Sequence, residues 1–200
     1  HMLDRGLNGL RMYPVPADVR RLMYKVKHAQ GVDITRIFCG LNEVRNISRS
    51  IHYALQAGMI PQATLCITFS PVHTVEYYTA IPERLIEAGA PEFCLKDMAG
   101  VGRPEMLGRL TKAIKERHPE IIIQYHGHSG PGLSMASILE VCENGADIID
   151  VAMEPISCGK VHPDVISVQA MLKDAGFQVP EINMKAYMKA RAMTQDFIDD

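Results

Sequence analysis

Two histidines, His126 and His128, close an apolar run in the segment Ile121-Ile122-Ile123-Gln124-Tyr125-His126-Gly127-His128. Residues i and i+2 of a strand point to the same face, so both imidazoles can look out from one strand end. Each offers a neutral nitrogen, and a pair so placed is half of a divalent-metal site. Glycines at 127, 130 and 132 make the loop tight enough for a ligand to approach. The plain alternative is two solvent-exposed loop histidines, and the spacing alone does not choose between them. Lys96, in Cys94-Leu95-Lys96-Asp97-Met98-Ala99-Gly100, likewise ends a short apolar run. A buried ammonium is costly unless it is paired or chemically altered; otherwise the side chain snorkels to solvent or meets a carboxylate. Arg5, in Asp4-Arg5-Gly6-Leu7-Asn8, either grips an anion bidentately or pairs with Asp4 at the surface. Asn42 reads as a helix N-cap, and His73, in Ser70-Pro71-Val72-His73-Thr74, as a structural part of the turn leading into a helix.

The elements that must position these residues follow one repeating pattern. A helical stretch ends in a small-residue turn, and a short apolar run follows. The turns are Gln30-Gly31-Val32-Asp33, Ala57-Gly58, Ala88-Gly89-Ala90 and Asn144-Gly145-Ala146-Asp147. The runs Ile34 to Phe38, Ala63 to Phe69, Phe93 to Lys96, Ile121 to Tyr125 and Ile148 to Ala152 read as strands buried on both faces, with a further strand near His1 to Arg5. Residues Ala17 to Gln30, Asn42 to Ala57, Val75 to Ala88, Pro104 to Arg117, Leu133 to Asn144 and Asp164 to Ala175 carry a helical period, with Pro82 marking a bend or break in the third. Junctions recur at about 30 residues, the length of one β/α unit. Such alternation means a parallel sheet, in either a doubly wound fold or a (β/α)8 barrel. No GxGxxG follows the first strand, which argues against a dinucleotide fold.

Composition narrows the class further. The chain of 200 residues is 47% apolar and 22% charged, with a net charge of -2. That is an ordinary globular balance without the basic surface of a nucleic-acid binder. No apolar run is long enough to span a membrane, and no basic-then-apolar start suggests a signal peptide. The five scattered cysteines, Cys39, Cys66, Cys94, Cys142 and Cys158, suit a reducing cytoplasm better than a disulfide framework.

In order along the chain, these segments resemble the carboxyltransferase domain of the pyruvate carboxylase and oxaloacetate decarboxylase α-subunit family. The matches are Met2-Leu3 with Arg5-Gly6 and Asn8, Gly31-Val32-Asp33 leading to Arg36-Ile37-Phe38, and Leu41-Asn42 with Arg45-Asn46. They continue with Pro71-Val72-His73-Thr74, Lys96-Asp97-Met98-Ala99-Gly100, His126-x-His128, Gly145-Ala146-Asp147-Ile148-Ile149-Asp150, and Ser157 with His162-Pro163. The PVHT form leans toward the decarboxylase branch. The resemblance implies an α/β fold, a (β/α)8 TIM barrel, of which residues 1–200 would form a partial carboxyltransferase domain with about six of the eight units, the first two missing. It implies a divalent metal (Zn, Mn or Co) held by His126, His128 and Lys96, the lysine carbamylated on its amine and close to substrate. It implies that Arg5 binds the substrate carboxylate during catalysis. Biotin would arrive on another domain or subunit. The implied substrate is a small 2-oxo acid, and the implied assembly is a homo-oligomer, with membrane subunits in the decarboxylase branch.

Three positions depart from the family pattern. Met12 stands where the family has a tyrosine, Cys39 where an aspartate closes a strand, and Ser129-Gly130-Pro131-Gly132 where Asp-Thr-Ser-Gly is usual. The rival readings are a metal-dependent aldolase or lyase of the same barrel superfamily and a non-catalytic barrel scaffold. Lys96 speaks against the aldolase or lyase, and the shared strand-end position of both motifs places it at the same end of a curved parallel sheet as the histidine pair.

Overall fold

A computed structural model describes residues 1–200. Six strands, β1 (Met2–Asp4), β2 (Ile34–Ile37), β3 (Ile60–Cys66), β4 (Glu92–Asp97), β5 (Ile122–Gly127) and β6 (Ile148–Ile149), form one all-parallel sheet in the order of the sequence. Strand order never reverses, which is the wall of a barrel rather than a doubly wound sheet. The helices are α1 (Ala17–Ala29), α2 (Val44–Gln56), α3 (Val75–Thr79), α4 (Pro82–Glu87), α5 (Pro104–Arg117), α6 (Ser134–Glu143), α7 (Val165–Asp174) and α8 (Met184–Asp199). None is long and apolar enough to cross a membrane.

The wall is curled. Arg36 on β2 and Asp150, just past β6, meet at 2.8 Å. Strands four places apart in a flat sheet would be about 19 Å apart at the usual spacing of about 4.8 Å. Gln62 on β3 likewise reaches Gln124 on β5 at 2.8 Å, across the intervening β4. Alternate residues therefore face two environments. Ile37, Ala63, Leu65, Phe93, Leu95 and Ile123 point outward and pack under the helices with Ile51, Leu107, Leu110 and Ile138. Arg36, Gln62, Glu92, Cys94, Lys96 and Gln124 fill the concave side, all buried.

Local chemistry sets the boundaries. The break expected at Pro82 is real: α3 ends at Thr79 and Pro82 opens α4. Helix-to-strand junctions such as Gly89 (φ 100°) and Gly145 (φ 102°) use left-handed backbone that other residues avoid. Strand β3 runs Ile60–Cys66 rather than Ala63 to Phe69, because Ile60 pairs with Ile34 at the start of the ladder. Asn42 is not the N-cap of α2. Glu43 takes that role, accepting from the Arg45 N–H, while Asn42, at φ 53°, clamps the Cys66 backbone through both its amide atoms at 2.7 and 2.9 Å. The run Ile148 to Ala152 pairs only over Ile148–Ile149, with Ala152 bridging instead to Asp164. Helix α8 follows no strand and lies outside the repeat. It is fastened by Tyr187 to Asp164 at 2.8 Å and Arg191 to Glu154 at 2.7 Å.

The start of the wall depends on one buried carboxylate. Asp4 is 1% exposed and accepts from the Gly6 N–H, the Tyr24 hydroxyl and the Thr35 hydroxyl. Burial raises its carboxyl to about 6 in spite of these bonds. The folded chain then keeps a proton, between about pH 4 and about pH 6, that the unfolded chain has released. Stability from this group is therefore full below about pH 4 and declines as pH rises through about 6, by on the order of 2–3 kcal/mol. Asp4→Asn should remove that slope in urea unfolding measured across the window. An identical pH dependence in variant and wild type would refute the assignment.

Candidate metal centre

Lys96 is the last inward-facing residue of β4, and its register partner on β5 is His126. His128 follows just beyond that strand. All three stand at the carboxyl ends of parallel strands, at one mouth of the wall, as expected from the sequence. The loop after Lys96 places His128. The Asp97 carboxylate accepts from the N–H groups of Val101 and Gly102 at 3.0 and 2.9 Å, closing a tight turn. The His128 N–H donates to the Asp97 carbonyl at 3.0 Å. Gly100 presses against the His128 carbonyl at φ 66°, where any Cβ would collide with it.

His126 is oriented from behind. Its Nδ1 lies 2.7 Å from Asp150 Oδ2 and 3.0 Å from Arg36 Nη1. The carboxylate is the nearer and the better acceptor, so Nδ1–H donates to Asp150 and Nε2 keeps its lone pair for the mouth. Arg36 donates to the same oxygen at 2.8 Å, and Gln124 donates to the other. Burial alone would raise the Asp150 carboxyl, but the bonds from His126 and Arg36 outweigh it and hold the group well below the usual carboxylate range. Burial lowers His126 to about 4 despite Asp150, and it lowers His128, to which neighbouring His162 adds. Both rings are thus neutral near neutral pH, the form that binds a metal ion.

The geometry of the pair fits an ion. His126 Nε2 and His128 Nε2 are 3.3 Å apart. Two nitrogens bound to one ion at about 2.0–2.1 Å and a tetrahedral angle are separated by about 3.3–3.4 Å. A third imidazole, His162, packs on both, with ring centroids 4.3 Å from His126 and 4.9 Å from His128. One nitrogen from each of the three rings lies within 4.8 Å of the others. Sequence reasoning gives no role to His162, which lies far from the pair along the chain, nor to Arg36 and Asp150. The only signals are the His162-Pro163 pair and an arginine and an aspartate at strand ends.

Lys96 realises neither plain alternative. It is 3% exposed, so it does not snorkel, and it makes no hydrogen bond or ion pair. Its Nζ sits 5.3 Å from the centroid of the Phe38 ring. Burial lowers its pKa, and the Arg36 charge adds to the effect. Arg5 follows β1 on the same rim but bonds none of these groups. It is exposed, and its nearest polar partner is the Arg11 carbonyl at 3.5 Å. It does not pair with Asp4, whose carboxylate points inward. With Phe38 and Cys39 it lines a small cavity at the mouth. His73 is structural, as its place in the turn implies: its Nδ1 is 2.7 Å from Ser70 Oγ and its ring packs on Tyr77. Met12, at the position of the family's tyrosine, is 71% exposed.

Comparison with known proteins places this geometry. The family model described as HMGL-like matches residues 36–193. The chain is 37% identical over 198 residues to a pyruvate carboxylase subunit of Methanocaldococcus jannaschii, covering 95% of this chain and 34% of that protein. It is 36% identical over 177 residues to the methylmalonyl-CoA carboxyltransferase 5S subunit of Propionibacterium freudenreichii subsp. shermanii, covering 88% and 35%. The solved carboxyl transferase domain from Rhizobium etli pyruvate carboxylase with pyruvate superposes with a TM-score of 0.82 at 30% identity, covering 88% of this chain and 32% of that one. The chain spans about a third of the length of these relatives.

The Arg36–Asp150 pair should be worth more broken than replaced. Asp150→Ala leaves a buried guanidinium uncompensated, and should cost about 2–4 kcal/mol in urea unfolding, below the fully buried case because Asp150 is partly exposed. The double change Arg36→Met with Asp150→Leu should recover at least half of that loss. A double variant as unstable as the sum of its single changes would show that the pair does not act as a unit.

Proposed function

The chain belongs to the HMGL-like family, and on that footing we propose that it carries out biotin-dependent carboxyl transfer to or from a 2-oxo acid of the pyruvate or oxaloacetate type. The site is a divalent-metal centre held by His126, His128 and Lys96. The observation that carries the reading is Lys96, buried and unpaired in register with His126. An uncompensated ammonium there is costly. A lysine whose amine has taken up carbon dioxide becomes instead an anionic oxygen ligand, beside two neutral imidazoles. An aldolase or lyase of the same superfamily has no use for such a lysine. Zinc, manganese or cobalt suits the mixed nitrogen and oxygen set.

The ion, when bound, supplies Lewis-acid polarisation of the substrate's 2-oxo group. The chain's own residues do the rest. Asp150 and Arg36 fix the tautomer and angle of His126. The Asp97 turn and Gly100 fix the backbone of His128. The Phe38 ring walls the Lys96 amine on one side and shares a cavity with Arg5. Arg5, exposed on the rim, meets the substrate carboxylate as a two-pronged donor. Biotin reaches the mouth on another domain or subunit, and residues 1–200 serve as part of the carboxyltransferase barrel.

The test is elemental analysis of the full-length protein, with oxaloacetate decarboxylation and pyruvate carboxylation assayed alongside. His126→Ala and Lys96→Ala should each lower bound metal and turnover by at least about 100-fold. Metal retained at wild-type stoichiometry in both variants would place the ion elsewhere and sink the site. A wild type with neither metal nor turnover would favour the scaffold reading instead.

A further inference from the structure

We infer that His162 is a further protein ligand of the metal ion, so that a third imidazole joins His126, His128 and Lys96 at the centre. The inference rests on the metal site proposed above and adds to it a residue from a different loop.

Three observations on this ring carry it. First, its hydrogen bonding selects the coordinating nitrogen. His162 Nδ1 lies 2.9 Å from the Gly127 carbonyl oxygen, to which it donates. Nε2 is then the lone-pair nitrogen, and it has no hydrogen-bond partner. Metal-binding histidines are oriented in this way, the far nitrogen donating to a carbonyl or carboxylate. His126 does the same through Asp150.

Second, the spacing of the rings is that of ligands on one ion. Imidazoles bonded at about 2.0–2.1 Å carry centroids roughly 4.5 Å apart at a right angle and roughly 5.2 Å apart at a tetrahedral angle. The three pairs here are 4.3, 4.9 and 5.2 Å apart. Their ligand nitrogens all fall within 4.8 Å of one another. One nitrogen of each ring thus lies close enough for a single cation to draw the three together.

Third, the backbone fixes His162 in place independently of any ion. The Ser129 N–H, next to His128, donates to the Val161 carbonyl at 2.8 Å. The Cys158 N–H donates to the His162 carbonyl at 2.7 Å, and the Ala152 N–H to the Pro163 carbonyl at 3.0 Å. The loop after β6 is thereby strapped to the loop after β5, and the imidazole is delivered to the mouth already aimed. A centre richer in imidazole favours zinc and cobalt over manganese, which prefers oxygen ligands.

The experiment measures zinc, cobalt and manganese affinity by chelator competition in the full-length protein, together with the visible spectrum of the cobalt form. Wild type, His162→Ala, His162→Asn and His126→Ala are compared, with the melting temperature of each metal-free form as the folding control. Asn keeps a donor for Gly127 but lacks the ring nitrogen. Both His162 variants should melt like wild type when metal-free, bind zinc and cobalt at least about 100-fold more weakly, and shift the cobalt spectrum. Manganese affinity should fall less. Wild-type affinity and spectrum in His162→Asn, with metal lost in His126→Ala, would overturn the inference and leave the proposed site standing. Wild-type affinity in all variants would overturn both. If His162→Ala fails to fold, the Asn variant decides by the same criteria.

Discussion

The contact between Arg36 and Asp150 is the interaction on which the mouth depends. It joins the second strand to the sixth, and can form only because the wall between them curls. The guanidinium then has one carboxylate to serve, and that carboxylate holds His126. Curvature, charge compensation and imidazole orientation are one arrangement seen from three sides. A flat sheet with the same side chains would bury Arg36 unpaired and leave His126 free to turn.

The concave layer beneath the mouth is polar where a barrel interior is usually apolar. Such a layer is tolerable when its members satisfy one another. Arg36 donates to Gln62 at 2.6 Å, Gln62 to Glu92 and Gln124, and Gln124 to Asp150. The exceptions in this layer are the Lys96 amine and Thr64 Oγ1, which have no partner. Stability comes from the convex side, where large groups such as Tyr24 of α1, Tyr78 of α3 and Phe93 of β4 are fully buried. The division leaves the concave side free to carry chemistry.

Much of this is legible in the sequence because it rests on local rules. Gly-rich junctions and apolar runs mark five strands and the sixth near His1 to Arg5, and the spacing of His126 and His128 puts both at a strand end. The start of β3 is not legible, because Ile60 joins the ladder through pairing with Ile34, which only register reveals. Asn42 departs from the capping rule for the same reason. Its amide is spent on Cys66, distant in sequence, so the cap passes to Glu43. Helix α8 leaves little trace because its apolar side buries nothing: Met188, Met193 and Phe197 stay exposed. His162, Arg36 and Asp150 act through contacts between loops and strands that no spacing encodes. The family resemblance supplies the set of Lys96 and the histidine pair, and the surroundings that make the pair fit for metal come from the structure.

Whether one ion is gathered at this mouth is tested most directly by anomalous diffraction from crystals of the zinc- or cobalt-loaded full-length protein. A single strong peak is expected within about 2.0–2.2 Å of the Nε2 atoms of both His126 and His128. Such a peak should have the Lys96 side chain beside it. A peak elsewhere in the protein, with the three imidazoles bonded only to one another, would contradict a metal centre at this mouth.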